Sequence, residues 1–142
     1  MLLNREQINN LIPQSPPFLL LDHVQDCTQE SLHAQYTFSD KEEIFKGHFP
    51  TDPIVPGVLL CECCLQAGAV WMAMQKNQSI NGKAIVTKMD KVKFKSFLRP
   101  NEIVNIHVNL IEKIDTFTLM KGKITKNDTT VMTLEFMVGI TQ

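Results

Sequence analysis

The feature that most constrains the fold is an apolar run at residues 54–74. The run is about as long as the roughly 20 residues that cross a bilayer. However, Pro56 and Gly57 interrupt its beginning, and Glu62 lies inside it. A carboxylate exposed to lipid is energetically costly. We therefore predict no membrane span, but a buried helix of a soluble protein that begins at Pro56 or Gly57 and runs to about residue 76.

Strand-like patterns lie on both sides of this helix. We predict strands at residues 18–24, 31–39, 83–97 with a break near Asp90, 102–113, 116–126 and 129–140. Residues 77–82 form a polar turn after the helix, and the separators at 100–101, 114–115 and 127–128 are short enough for hairpins or neighbouring strands. One buried helix with an antiparallel sheet predicts an α+β fold in which the sheet curls around the helix. A length of 142 residues fits one domain, residues 1–142.

Two further segments precede the central helix. Asn4 and Gln7 have the spacing of a capping box, so a short N-terminal helix is predicted there. Residues 40–53 form a long connection with charges, one glycine and two prolines, and loops of that length are usually functional or disordered. Its aromatic and proline content favours an ordered, functional loop.

Composition narrows the function classes. The formal net charge is −1, whereas a protein that binds nucleic acid through its whole surface needs a large basic excess, so no nucleic-acid partner is expected. The first residues lack the apolar core of a signal peptide, and the cysteines are read as reduced thiols of a cytoplasmic protein. Three of them cluster at positions 61, 63 and 64, but no second Cys/His pair completes a zinc set, so no metal is expected.

Glu62 is the first candidate catalytic residue. It lies between apolar neighbours on a helix that must be buried, and burial raises a carboxyl pKa, which suits a general acid near neutral pH. Gln66 follows one helical turn later on the same face, where its amide can orient the carboxyl. The alternative is a structural carboxyl tied down by Gln66 or by the backbone.

His48 is the second candidate, and by itself a loop histidine is more often a packed or hydrogen-bonded residue than a base. Its neighbours favour function, because Gly47 permits close backbone approach while Phe49 and Pro50 make the site apolar and rigid.

The beginning of the central helix completes the candidate site. Pro56 is suited to the first helical position, and the free N–H groups after it point outward. These donors and the helix dipole can stabilise a developing oxyanion. A base, an acid and an oxyanion site therefore lie within fifteen residues of sequence, from His48 to Glu62.

These residues carry a family resemblance. The pattern His48-Phe-Pro, then Pro53-Ile-Val-Pro-Gly57-Val-Leu, Glu62 and Gln66-Ala-Gly resembles the signature of the FabZ-type (3R)-hydroxyacyl-acyl-carrier-protein dehydratases, which have the hotdog fold. Pro17-Phe-Leu-Leu-Leu-Asp is similar to that family's first strand, and Asp90-Lys-Val-Lys-Phe to its segment after the helix. The resemblance covers most of the chain.

The resemblance implies specific roles. His48 removes the C2 proton of a 3-hydroxyacyl thioester, Glu62 protonates the departing hydroxyl, and the N–H of Gly57 holds the thioester oxygen. Val58 and Gln66 join Gly57 in binding the substrate. The histidine and the glutamate of one site come from different subunits of a homodimer, and family members are often trimers of dimers. No cofactor is expected, and Glu rather than Asp at position 62 is similar to the branch that only dehydrates.

Charge is unevenly distributed along the chain. Six basic residues and one acidic residue lie between Lys83 and Arg99. Lys91, Lys93 and Lys95 alternate with apolar residues, which would place three ammonium groups on one face of a strand. One interpretation is a solvated edge protected from aggregation. The other is a docking patch, completed by Arg99, for the acyl carrier protein that bears the substrate.

Two rival functions remain open at this point. A hotdog thioesterase would hydrolyse the thioester and can place a carboxylate on the same helix, although the Gly-His-Phe-Pro motif is not expected of it. A non-catalytic module would bind acyl chains or complete a larger assembly, and the intact pair of His48 and Glu62 speaks against it.

Overall fold

A computed structural model describes residues 1–75 and 83–141. Its helices are α1 (Arg5–Asn9), α2 (Ile44–Gly47) and α3 (Gly57–Met74). The central helix α3 begins directly after Pro56, which occupies the N-cap position with φ −57°. Its predicted start is confirmed. Residue 76, where the sequence placed its end, and the predicted turn at 77–82 lie outside the described residues.

Six described strands form one antiparallel sheet. They are β1 (His23–Cys27), β2 (Ser31–Thr37), β3 (Lys83–Phe94), β4 (Ile103–Ile114), β5 (Phe117–Lys126) and β6 (Thr129–Thr141). Their order across the sheet is β1-β2-β4-β5-β6-β3. Because α3 packs against strands across the sheet, the predicted α+β hotdog architecture is confirmed.

The core lies between α3 and the concave face of the sheet. Alternate residues of β2 point inward, and Leu32, Ala34 and Tyr36 are buried there. Helix and sheet approach closely at Gly68, because a Cβ at this position would lie 2.8 Å from the ring of Phe136. The spacing between helix and sheet therefore depends on a missing side chain.

Two of the predicted separators are hairpin turns. β4–β5 and β5–β6 are antiparallel pairs joined by two residues, with Asp115 at φ 53° and Asn127 at φ 51°. Asp and Asn are among the side chains that best tolerate this left-handed region. The third separator is not a hairpin, since β3 pairs with β6 and the chain crosses the sheet before β4 begins. The short sequence separation between β3 and β4 therefore does not predict that the two strands lie apart in the sheet.

Differences from the predicted elements are concentrated before α3. The capping box of Asn4 and Gln7 is present at α1. The predicted strand at residues 18–24 is wrong in most of its length, because β1 begins only at His23. Residues 19–21 are nevertheless buried. The short helix α2 lies inside the connection at 40–53, where no helix was predicted.

Within the described residues, α3 is the one helix with the length and apolarity of a membrane span, with a mean hydropathy of 1.5. Ten of its residues are buried by the rest of the chain, so it serves as the core helix of this fold.

β3 is an open edge of the sheet. Every described side chain from residue 84 to residue 94 is exposed. Several are large and apolar, among them Ile85, Val86, Met89, Val92 and Phe94. An unpaired apolar edge strand is a surface that proteins normally cover.

Candidate active site

His48 follows the last residue of α2 and is half-buried. Its Nδ1 lies 2.9 Å from the backbone oxygen of Ile54. A carbonyl oxygen only accepts, so Nδ1 must donate its proton to Ile54. In the neutral imidazole, Nε2 then carries the free lone pair. This is the tautomer that a general base requires, and the loop itself holds it in place.

The turn around His48 is built by the residue that follows it. Phe49 has φ 57°, a left-handed conformation that is uncommon for a bulky residue. Its ring contacts the imidazole with centroids 4.4 Å apart. At Gly47 the expected close backbone approach is not observed, because nothing lies within 4 Å of where a Cβ would be.

A cavity of about 460 Å³ opens beside the imidazole. Its walls are mainly apolar and come from the His48 loop, from the beginning of α3 and from the segment around the end of β3. The described lining residues are His48, Ile54, Val55, Gly57, Val58, Leu60, Phe94, Lys95, Ser96, Phe97 and Leu98. Such a slot suits a hydrocarbon chain that must be kept from water.

Gly57 is required by the shape of this cavity. A Cβ at this position would lie 2.7 Å from Cε1 of Phe94. Only glycine lets that ring close one wall against the helix. The same residue is the first of α3, where N–H groups have no acceptor within the helix and the helix dipole is positive. Gly57 and Val58 thus combine free donors with an apolar surface, and Val58 is 73% exposed.

Glu62 lies one turn further along α3 and is half-buried. Burial raises the pKa of its carboxyl above the ordinary value, while a hydrogen bond from Gln66 opposes that rise. The donor is Nε2 of Gln66, 2.9 Å from Oε2 of Glu62. A carboxyl with a raised pKa retains its proton closer to neutral pH, as a general acid must.

Gln66 is fully buried, and both its amide oxygen and its amide nitrogen form hydrogen bonds. Besides Glu62, its Nε2 donates to the backbone oxygen of Phe18 at 2.8 Å, and its Oε1 accepts from the N–H of Leu20 at 2.7 Å. The amide therefore has one orientation that satisfies all three partners. Its contact with Glu62 was predicted from the one-turn spacing. The contacts with residues 18 and 20 were not predicted.

The two ionisable residues lie in different surroundings within one protomer. Among the described residues, Glu62 does not line the cavity beside His48. Instead it belongs to a stripe of α3 at positions 58, 62, 65, 69 and 73 that the sheet leaves incompletely covered. Glu62 is the one ionisable side chain of this stripe.

The basic segment differs from its prediction. The register shifts between Asp90 and Lys93, Lys91 has φ 51°, and the strand ends before Lys95, so regular alternation over these lysines does not hold. Lys91 lies 3.4 Å from Glu135. Arg99 forms an ion pair with Asp52. Lys95 lines the cavity, and no acidic partner of Lys93 or Lys95 lies within 4 Å in the described part of the chain.

Two features of the site escaped sequence reasoning. The Ile54 carbonyl that fixes the imidazole is a backbone group, and no residue type signals it. Phe94 closes the cavity although it lies 37 residues after Gly57 along the chain, and only the fold brings the two together. The cysteines behave as packing residues, since Cys63 and Cys64 are fully buried and burial raises the pKa of both thiols.

The family follows from comparison with known proteins. The FabA-like domain matches residues 12–135. The chain is 33% identical over 138 residues to the 3-hydroxyacyl-[acyl-carrier-protein] dehydratase FabZ of Petrotoga mobilis, covering 97% of this chain and 98% of that one. The chain therefore belongs to the FabA-like family, and the predicted resemblance to FabZ-type dehydratases is confirmed.

Solved structures share the fold. The dehydratase heterocomplex ApeI:P of Xenorhabdus doucetiae superimposes with a TM-score of 0.81 at 18% identity, covering 95% of this chain and 91% of that one. A hypothetical thioesterase of Streptococcus pneumoniae, solved with coenzyme A, gives 0.64 at 12% identity, covering 83% and 84%. Proteins of this architecture thus bear the names of two different activities, so the fold alone does not distinguish them.

Proposed function

We propose that this chain, residues 1–142 acting as one hotdog domain, dehydrates a (3R)-3-hydroxyacyl thioester to the trans-2-enoyl thioester in fatty-acid or related acyl-chain biosynthesis. The observation that carries the proposal is the hydrogen bond from Nδ1 of His48 to Ile54. It leaves Nε2 as a base beside an apolar cavity at the beginning of α3. The curated relatives bear the name of this activity.

The proposed steps balance without a cofactor. Nε2 of His48 takes the proton from C2, and the electron pair of that C–H bond forms the C2–C3 double bond as the C3–O bond breaks. Negative charge that develops on the thioester oxygen is held by the N–H of Gly57. The carboxyl of Glu62 gives its proton to the leaving hydroxyl, which departs as water. A proton then passes from the imidazolium back to the carboxylate, and both groups are restored.

The rival hydrolysis is separated by its products. The S. pneumoniae protein shares the fold, but a thioesterase has no need of a base directed at C2. Purified protein is incubated with the pantetheine thioester of 3-hydroxybutyrate. Dehydration produces the ultraviolet absorbance of a conjugated enoyl thioester, whereas hydrolysis releases a free thiol. Thiol release without enoyl absorbance would establish the thioesterase instead.

A homodimer, on its own or within a trimer of dimers, is proposed to complete the site. The open apolar edge of β3 and the uncovered stripe around Glu62 both call for a second surface, and a second copy related by a two-fold axis covers the same patch on each partner. Glu62 of one subunit would then face the cavity that contains His48 of the other.

Mixing two inactive variants tests this sharing. If each site uses two subunits, a heterodimer of His48→Ala and Glu62→Gln has one site with both native groups. After unfolding and refolding together in equal amounts, random pairing should restore about a quarter of the native activity, because half of the dimers are mixed and each mixed dimer has one intact site. Activity that stays at the level of the separate variants would place both groups in one subunit.

The substrate is proposed to arrive on acyl carrier protein, docked at Lys93 and Lys95. We expect Lys93→Glu with Lys95→Glu to raise the KM for the carrier-bound substrate roughly tenfold at low salt, because rim charges steer an acidic partner. The matched control is Lys121→Glu with Lys123→Glu, which reverses two exposed lysines of β5. Equal effects of the two pairs, or none, would remove the docking site. Arg99 is a weaker candidate because Asp52 pairs with it.

The proposed substrate also suggests a cellular location. A cytoplasmic location is proposed, since the curated relatives are named for carrier-bound substrates. No nucleic-acid partner is part of the proposal.

A further inference from the structure

Residues 19–21 are buried but not paired in the sheet, although each peptide carries a donor and an acceptor. Leu19, Leu20 and Leu21 are at most 4% exposed. Burying backbone groups without partners is costly, so their hydrogen bonds must come from elsewhere. The N–H groups of Phe18 and Leu19 bind the backbone oxygen of Ser15. Four further backbone groups of residues 18–21 are bound by two side chains that are 61 residues apart along the sequence. One is Gln66 on α3, and the other is Arg5 on α1.

Arg5 holds the segment through its planar guanidinium. Nη1 donates to the backbone oxygen of Leu21 at 2.7 Å, and Nη2 donates to that of Leu19 at 3.0 Å. Asp22 lies 3.5 Å from Nη1, and the guanidinium is 5.9 Å from the ring centroid of Tyr36. A rigid fork of donors can bridge two carbonyls in one geometry, whereas an ammonium group binds as a single point.

Gln66 holds the same segment through alternate backbone groups. It binds the oxygen of Phe18 and the N–H of Leu20, so the two side chains clamp four consecutive residues. The remaining hydrogen of the Gln66 amide is the one donated to Glu62. Displacement of the segment would leave a buried amide with unpaired groups, and it would free the amide to turn away from the carboxyl.

We propose that Arg5 is a positioning residue, which fixes the carboxyl of Glu62 for proton donation through residues 18–21 and the amide of Gln66. The inference rests on the proposed function, since it assigns Arg5 to the acid of that reaction. Arg5 itself touches neither the cavity nor Glu62 in the described structure. Its effect is on the geometry of the acid, so it should lower kcat much more than it changes KM.

The test compares two changes at α1. Arg5→Met keeps the length of the side chain and removes the fork, and we expect kcat to fall about tenfold with KM within twofold of native, because misplacing a catalytic group by a fraction of an ångström slows the chemistry. Arg5→Lys should recover only part of that loss. Asn4→Ala breaks the capping box of the same helix without touching residues 18–21. It should lower Tm while kcat stays within twofold.

A double variant tests whether Arg5 acts on Glu62 through Gln66. In a Gln66→Leu background, Arg5→Met should cause no further loss of kcat, because the link to Glu62 is already broken. Additive losses would overturn the proposal, and so would an equal fall of kcat in Arg5→Met and Asn4→Ala. A native protein without dehydratase activity would contradict the proposed function instead. In that case the clamp remains testable, because Arg5→Met should speed hydrogen exchange of the Leu20 amide at least tenfold while Asn4→Ala should not.

Discussion

Replacing His48 with alanine is expected to lower kcat about a thousandfold, within the range that one general acid–base group contributes. The physical reason is the single free lone pair at Nε2, which exists because Nδ1 donates to Ile54. No other described ionisable side chain lines the cavity except Lys95, whose ammonium group has no lone pair to accept a proton. Turnover is measured by enoyl absorbance under saturating substrate.

Two further variants isolate the chemistry from the fold. His48→Asn can keep a hydrogen bond to the Ile54 carbonyl but cannot act as a base, so it should be as inactive as His48→Ala while folding like the native chain. His107→Ala removes another half-buried histidine, which stacks on His33 on the outer face of the sheet. It should keep full turnover. Activity above a tenth of native in His48→Asn would assign the base to another group.

Glu62→Gln is expected to lower kcat a hundredfold or more and, at the same time, to raise Tm at pH 8. The amide cannot donate a proton to the leaving hydroxyl as a carboxyl does, which accounts for the lost turnover. The gain in stability has a separate cause. Burial raises the pKa of Glu62, so ionising this side chain in the folded state costs free energy that a neutral amide avoids. The carbonyl of the new side chain can still accept from Gln66.

The sign of the pH dependence follows from that raised pKa. The folded state binds the Glu62 proton more tightly than the unfolded state does. Stability is therefore lost as the pH rises from the ordinary carboxyl pKa through the raised one. The Tm advantage of Glu62→Gln should be present at pH 8 and should vanish near pH 3, more than a unit below the ordinary value of 4.5, where the native carboxyl is protonated in both states. Glu30→Gln, at an exposed position, is the control. A lower Tm for Glu62→Gln at pH 8 would mean that the carboxylate is a stabilising partner.

Much of the architecture could be predicted because local patterns agreed with the fold. The apolar run with Glu62 inside it predicted the buried helix. The short separators at 114–115 and 127–128 indicated hairpins or neighbouring strands, and in the structure Asp115 and Asn127 take the positive φ of two hairpin turns. The strand predicted at 18–24 was wrong because an apolar run indicates burial, not pairing. Residues 19–21 are buried against the core, while Arg5 and Gln66 replace the neighbouring strand.

For the candidate site, the sequence indicates residue types but not their geometry. Apolar neighbours indicated a buried carboxyl at Glu62, which is half-buried in the structure, and this burial raises the pKa of the carboxyl. The acceptor for His48 is a main-chain oxygen, which carries no sequence signal. The expected row of three lysines failed because Lys91 takes a left-handed conformation where the register shifts. A kink of that kind depends on the pairing with β6, which the segment itself does not encode.

In the proposed homodimer, the open edge at β3 makes correct assembly dependent on protein concentration. Until the second copy of this proposed dimer pairs with it, a newly synthesised chain presents unpaired backbone groups along this strand, and any extended segment can bind there first. At low concentration, productive pairing competes with this misassembly, and the apparent Tm of the finished enzyme should increase with protein concentration. Because the strand that attracts wrong partners also ends in Phe94 at the cavity wall, substitutions that protect the edge would be constrained by the demands of catalysis.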